Sequence, residues 1–266
     1  MIVGEPSLGP AAGVAGLALA SAGAALVPLA SAAVRRVFPG RNVVFVRWGF
    51  SHVALVLALL LLLFWASGPV FPAGRVLERH AAVLGGGCLL VALFARRLDP
   101  EGLRCLGLWR GGQARALLAG FAAYVLLAPL LLGVFLAWPA FLEWTGHENR
   151  PQPIVELLRA IPAEGRPVAV LLGVAVLPLL EELLFRAFLQ PLLVQNLSDR
   201  LGILATSFVF AALHGASAFL PILALSLVLG GVMLRTQRLL AVWAVHGLHN
   251  GLMFLALYSG YAPQPA

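Results

Sequence analysis

Eight stretches of this chain are apolar over nearly the width of a lipid bilayer. They cover roughly residues 11–34, 49–71, 80–95, 114–137, 167–193, 201–217, 218–234 and 239–258. About 20 apolar residues in a helix cross the hydrocarbon core. Hydrocarbon offers no water to a peptide group, so a lipid-embedded segment must close its own backbone hydrogen bonds, and a helix does so. The pattern predicts an all-α fold: a polytopic membrane helical bundle of about eight transmembrane helices. Composition agrees. Of 266 residues, 61% are hydrophobic and 11% charged, whereas soluble domains carry about 25% charged residues.

Residues 1–150 hold the first four spans and residues 151–266 the last four, two halves of one integral-membrane domain. All 18 basic residues are arginine, and their placement gives a topology. Arg35, Arg36, Arg41 and Arg47 follow the first span. Arg96, Arg97, Arg104, Arg110 and Arg115 follow the third, and Arg235 and Arg238 the seventh. Basic loops stay cytoplasmic. The loop after the fourth span, with Glu143, Glu148, Arg150, Glu156, Arg159, Glu164 and Arg166, is mixed in charge and fits the outside. An even number of spans then puts both termini outside. A pI near 10.9 could suggest nucleic acid, but these arginines sit at helix ends, so the expected partner is the bilayer and no nucleic acid. Cys88 and Cys105 make no disulfide framework. No basic region precedes the first apolar stretch, so no cleavable signal peptide is expected. Two short interfacial segments are expected, over 104–115 and as an amphipathic helix over 152–161.

The fifth span carries Glu181, Glu182 and Arg186. A charge at the bilayer centre costs about 2.5–3.5 kcal/mol even on lenient scales, so such residues need partners and mark functional sites. Glu182 and Arg186 are four apart and share a helix face, as an ion pair would. Glu181 points about 100° away and is left for chemistry. Pro178, one turn earlier, is expected to kink the helix and open room beside Glu181. His214 closes the sixth span. His246 and Asn250 lie four apart on the eighth, and His249 is read as polar glue between helices. The first four spans carry almost nothing comparable, which suggests one polar site built by the C-terminal half. Glutamate with histidine can activate a water, and a histidine with an asparagine on one face suits a developing oxyanion. Zinc is also compatible with such residue types, although His-Glu-x-x-His is absent; the residues leave zinc and a metal-free site both open.

The ordered set Glu181-Glu182-x-x-x-Arg186, Phe210-x-x-x-His214 and His246-x-x-x-Asn250 resembles the CPBP family of CAAX proteases and bacteriocin-processing enzymes, or Abi proteins, which includes the type II CAAX prenyl endopeptidases. The resemblance covers about residues 165–258, with Ala187 where the family often has glycine. It implies an intramembrane endopeptidase, in which Glu181 resembles the general base and His214 helps hold the water. His246 and Asn250 would stabilise the oxyanion, and Glu182 with Arg186 would be the orienting pair. It further implies a membrane-embedded or lipidated peptide or protein substrate, and a multi-pass location in a bacterial plasma membrane. The competing reading is a non-enzymatic membrane protein, either a transporter or proton relay or a bacteriocin-immunity protein. A transporter favours broken helices in both halves of the chain, and here the polar groups crowd into one.

Overall fold

The computed structural model describes residues 10–38, 45–147 and 153–259; among them are helices, turns and loops and no strand. In the N-terminal half these are α1 (Pro10–Ala24), α2 (Val27–Val37), α3 (Phe50–Ser67), α4 (Val76–Leu98) and α5 (Gln113–Trp144). The short α6 (Pro153–Arg159) follows, on the segment expected to be amphipathic. One long helical run comes next: α7 (Arg166–Val170), a π-helical segment Leu171–Val176, α8 (Leu177–Glu182), a second π segment Leu183–Leu189, and α9 (Gln190–Asn196). Then come α10 (Asp199–Ala212), α11 (Phe219–Thr236) and α12 (Leu239–Tyr258). Arg41, Glu148 and Arg150, used in the topology reading, lie outside the described residues.

Among the described residues seven helices are long and apolar enough to cross a bilayer, counting α1 with α2 and the run through α9 as one each. The expected span over 201–217 is the exception. Its helix, α10, has 14 residues, about 21 Å at 1.5 Å per residue, against a core of about 30 Å. The apolar run there is broken by His214-Gly215, where Gly215 takes φ +81°, a conformation open mainly to glycine. Hydropathy runs straight through this break. Ile203 packs where Gly230 has no side chain, so α10 and α11 form a hairpin and the short helix still reverses the chain.

The main core joins both halves of the chain. It includes Val34, Val56, Val91, Ala123 and Tyr124 from α2 to α5, and Leu184, Phe188, Leu229, Val242 and Val245 from the later helices. A smaller cluster of Leu77, Leu158, Ala169, Leu177 and Phe254 closes one end. Without a hydrophobic drive between helices in lipid, close backbone approach matters, and small residues permit it. Gly16 and Gly133 let α1 lie against α5, and Gly120 lets α5 lie against α12. From the loop before α3, Trp48 stacks on Phe188 and gives its indole N–H to the Phe188 carbonyl at 3.0 Å.

A Cβ on Gly120 would sit 2.2 Å from the Ala241 carbonyl oxygen, whereas Gly231 has open space around it. Overpacking of this kind costs about 1–3 kcal/mol. Gly120→Ala should therefore lower the melting temperature in detergent, and Gly231→Ala should not. Equal melting of the two variants would contradict the α5–α12 packing.

Candidate active site

The site begins with a backbone irregularity. Pro178 has no N–H, so in a regular helix the Val174 carbonyl would lose its partner. The stretch immediately before it, Leu171–Val176, adopts the wider π form. The disturbance expected from Pro178 is thus a widened turn on its N-terminal side. Single-turn π segments recur at functional sites. Helix α12 lies along this turn. Trp243 gives its indole N–H to Ala175 O at 2.8 Å, and Asn250 gives a side-chain N–H to Gly173 O at 2.9 Å. Between them is Gly247, where a Cβ would stand 2.8 Å from Val174 O. Three residues on one face of α12 thus meet three consecutive carbonyls.

This docking carries His246 onto the next turn of the long helix. His246 Nδ1 lies 2.7 Å from Glu182 Oε1, and a carboxylate oxygen can only accept, so Nδ1 carries the proton. The other carboxylate oxygen of Glu182 is 3.2 Å from Arg186 Nε, with neither side chain reached by solvent. The Glu182–Arg186 pair is the one that the four-residue spacing suggests, and His246 is a third member that the spacing does not reveal. Arg186 also donates to Ser226 Oγ of α11 at 2.8 Å. Its guanidinium lies over the Phe210 ring, 4.5 Å from the centroid. Phe210 in turn touches Phe185, His214 and His246. One ring thereby packs together the residues of three motifs.

Glu181 is the more open of the two acids, with 17% of its side chain exposed, and its Oε2 is 3.7 Å from His246 Nε2. The separation is too long for a hydrogen bond and too short for a water to lie between the two atoms, so a water that serves both sits to one side of the pair. His214 stands just past the end of α10 and gives its Nδ1 proton to the Phe210 carbonyl at 2.7 Å. Arg186, His214 and His246 therefore gather at Phe210, and Glu182 and Glu181 join them through His246. Asn250, one turn further along α12, is engaged with backbone. His249 faces α5, where the Tyr124 hydroxyl is 3.4 Å from its Nδ1.

Catalytic zinc takes three protein ligands plus water. Among the described residues no three His, Cys, Asp or Glu side chains converge on one point, and Glu182 is already spent on Arg186 and His246. Arg186 Nη1 and Gln190 Oε1, with no protein hydrogen-bond partner, border a cavity of about 20 Å³, room for one water.

Several contributors escape a reading of the sequence. Ser226 is a single hydroxyl in an apolar run, and such residues are commonly interhelical glue. Trp243 matters through its N–H, directed at a backbone carbonyl that no motif encodes. His80 of α4, in the half that looks empty of polar groups, lies within electrostatic reach of His214.

Removing one partner of a buried ion pair costs about 3–5 kcal/mol, so Arg186→Ala should melt well below Glu181→Gln in detergent. Equal melting would count against the lock. Trp243→Phe removes one hydrogen bond, worth about 1 kcal/mol. Because Trp243 and Asn250 hold the same turn, Trp243→Phe and Asn250→Ala should be non-additive in a double-mutant cycle. Simple addition would mean that the two act separately.

Residues 163–252 match the family model described as Type II CAAX prenyl endopeptidase Rce1-like. No curated protein and no solved structure matches the chain significantly. The match spans the long helix, the α10–α11 hairpin and most of α12, and it contains all six motif residues. The chain is a multi-pass membrane protein, and the match over residues 163–252 supports its assignment to the CPBP, or CAAX-type, protease family.

Proposed function

We propose that this protein is an intramembrane endopeptidase that hydrolyses a peptide bond with a water activated by glutamate and histidine. The observation that carries the proposal is the division of labour between adjacent acids. Glu182 is fully enclosed and held from both sides, whereas Glu181 is partly exposed and its Oε2 lies 3.7 Å from His246 Nε2 without a hydrogen bond between them. Glu182 fixes which nitrogen of His246 carries the proton, as a carboxylate does for the histidine of a hydrolytic triad. Glu181 takes a proton from the water as its oxygen attacks the scissile carbonyl carbon. The tetrahedral oxyanion then receives a hydrogen bond from Asn250, which keeps a second amide hydrogen after giving one to Gly173, and from His246 when a second proton, on Nε2, makes it the imidazolium. His214 helps hold and polarise the attacking water. When the C–N bond breaks, the proton held by Glu181 passes to the leaving amine. The products are a free carboxylate and a free amine.

The substrate class follows from where the site lies. The acids sit on a run of mean hydropathy 2.3, within residues 163–196. A peptide reaches them from within or beside the bilayer, so the expected substrate is membrane-embedded, or prenylated near a C-terminal signal. The family description points the same way. A bacterial plasma membrane, with the arginine-rich loops in the cytoplasm, remains the expected location.

General acid–base catalysis contributes about 10²–10⁴-fold. Glu181→Gln and His214→Ala should each lower cleavage of a membrane peptide library by that order while the melting temperature holds. Full activity of a folded Glu181→Gln variant would sink the assignment.

A further inference from the structure

The ends of α4, α5, α11 and α12 meet in an open cleft of about 610 Å³, apart from the site described above. Its walls carry Arg104, Arg110 and Arg238 against one carboxylate, Glu101. That carboxylate is taken: Arg110 Nη2 pairs with Glu101, and Arg110 Nε donates to Arg104 O. Arg238 has no carboxylate partner among the described residues: its Nε donates to Gly111 O at 3.0 Å, its Nη1 to Thr236 O and Gln237 O at 3.2 Å, and its guanidinium lies over the Phe38 ring, 5.7 Å from the centroid. It is also close enough to Arg110 for the two positive charges to oppose each other. Arg104 is exposed and has no ion-pair partner among the described residues. Two of the three guanidinium charges are therefore uncompensated in one concavity.

The backbone gives a second and independent sign. Among the described residues only two that are not glycine have positive φ, Trp109 at +51° and Gln237 at +49°. Trp109 lines the cleft, and Gln237, the left-handed cap of α11, stands immediately before Arg238 in the chain and presents a carbonyl that Arg238 grips. A left-handed residue other than glycine costs about 1–2 kcal/mol, and such strain gathers at ligand clamps. Core burial does not repay it at Trp109, whose side chain is 68% exposed. The cleft also lies on the arginine-rich side of the bundle, level with Arg96 and Arg97 in the last turn of α4. Indoles and arginines mark the headgroup level of a membrane.

We propose that this cleft binds the phosphodiester headgroup of an anionic phospholipid. Arg104 and Arg238 donate to the phosphate, as guanidinium forks do, and the Trp109 ring lies against the glycerol and the upper acyl chain. The lipid would bridge the loop before α5 and the turn between α11 and α12. Leu239, the first residue of α12, already ties to that loop through Gly107 O at 3.3 Å. The headgroup thus pins the base of the helix that carries His246.

The test uses the full-length protein in mild detergent, with native mass spectrometry and thermal melting after addition of phosphatidylglycerol or phosphatidylcholine. Wild type should retain phosphatidylglycerol in preference and melt higher with it. One arginine near a membrane surface is worth about fivefold in affinity, so Arg104→Gln should weaken retention by about that factor, and Arg104→Gln/Arg238→Gln should erase the preference. If the double variant does not fold, Arg104→Glu, at an exposed position, must erase it instead. Equal retention of the two lipids by wild type, or an undiminished preference in these variants, would overturn the proposal. So would matching stabilisation by inorganic phosphate or glycerol phosphate, which would make the cleft a site for free anions.

Discussion

A carboxylate with no exposed surface, set between a guanidinium and an imidazole inside an apolar bundle, is the constraint around which this protein is organised. Taking an ion out of water costs several kcal/mol, and mutual attraction offsets this only when geometry is good and the remaining polar atoms are satisfied. Glu182 is held by ion pairing with Arg186 on its own helix at 3.2 Å and by the hydrogen bond with His246 on α12, while its Oε2 and Arg186 Nε and Nη1 have no hydrogen-bond partner in the protein. Arg186 in turn needs Ser226 of α11 and the face of Phe210 of α10. One buried charge therefore dictates how four helical segments are arranged. It also frees Glu181: with Arg186 committed to its neighbour, this acid is turned toward open space and His246 Nε2.

The second requirement is that α12 come close enough for His246 to reach. The structure meets it with backbone. Pro178 and the π segment before it leave carbonyls that α12 covers with Trp243, Gly247 and Asn250. Asn250 thereby holds the geometry even before any oxyanion exists, and a role in positioning is compatible with a role in chemistry. The same helix is tied at its base to the loop before α5, so its register is set from both ends.

Much of this was legible in the chain. Span length and charge placement lead to a helical membrane bundle because both are local in sequence. The Glu182–Arg186 pair follows from four-residue spacing because a helix turns a distance in sequence into one in space. His246 as partner of Glu182 does not follow, since 64 residues separate them and only tertiary packing joins them. Asn250 looked like a side chain in search of a ligand, yet it bonds a carbonyl, a group every residue has and no motif marks. The short α10 was hidden because hydropathy does not register that Gly215 turns the chain. His80 was passed over because a histidine beside Arg79 at a span end reads as interfacial.

The central claim is that Glu182 is ionised and locked while Glu181 is the acid free to exchange a proton. Infrared difference spectroscopy of wild type against Glu182→Gln, in detergent at neutral pH, tests it without reference to any substrate. The account predicts that the substitution removes an ionised carboxylate band, because a protonated Glu182 could not pair with Arg186 and accept from His246 together. Loss of the carbonyl stretch of a protonated acid instead would contradict it.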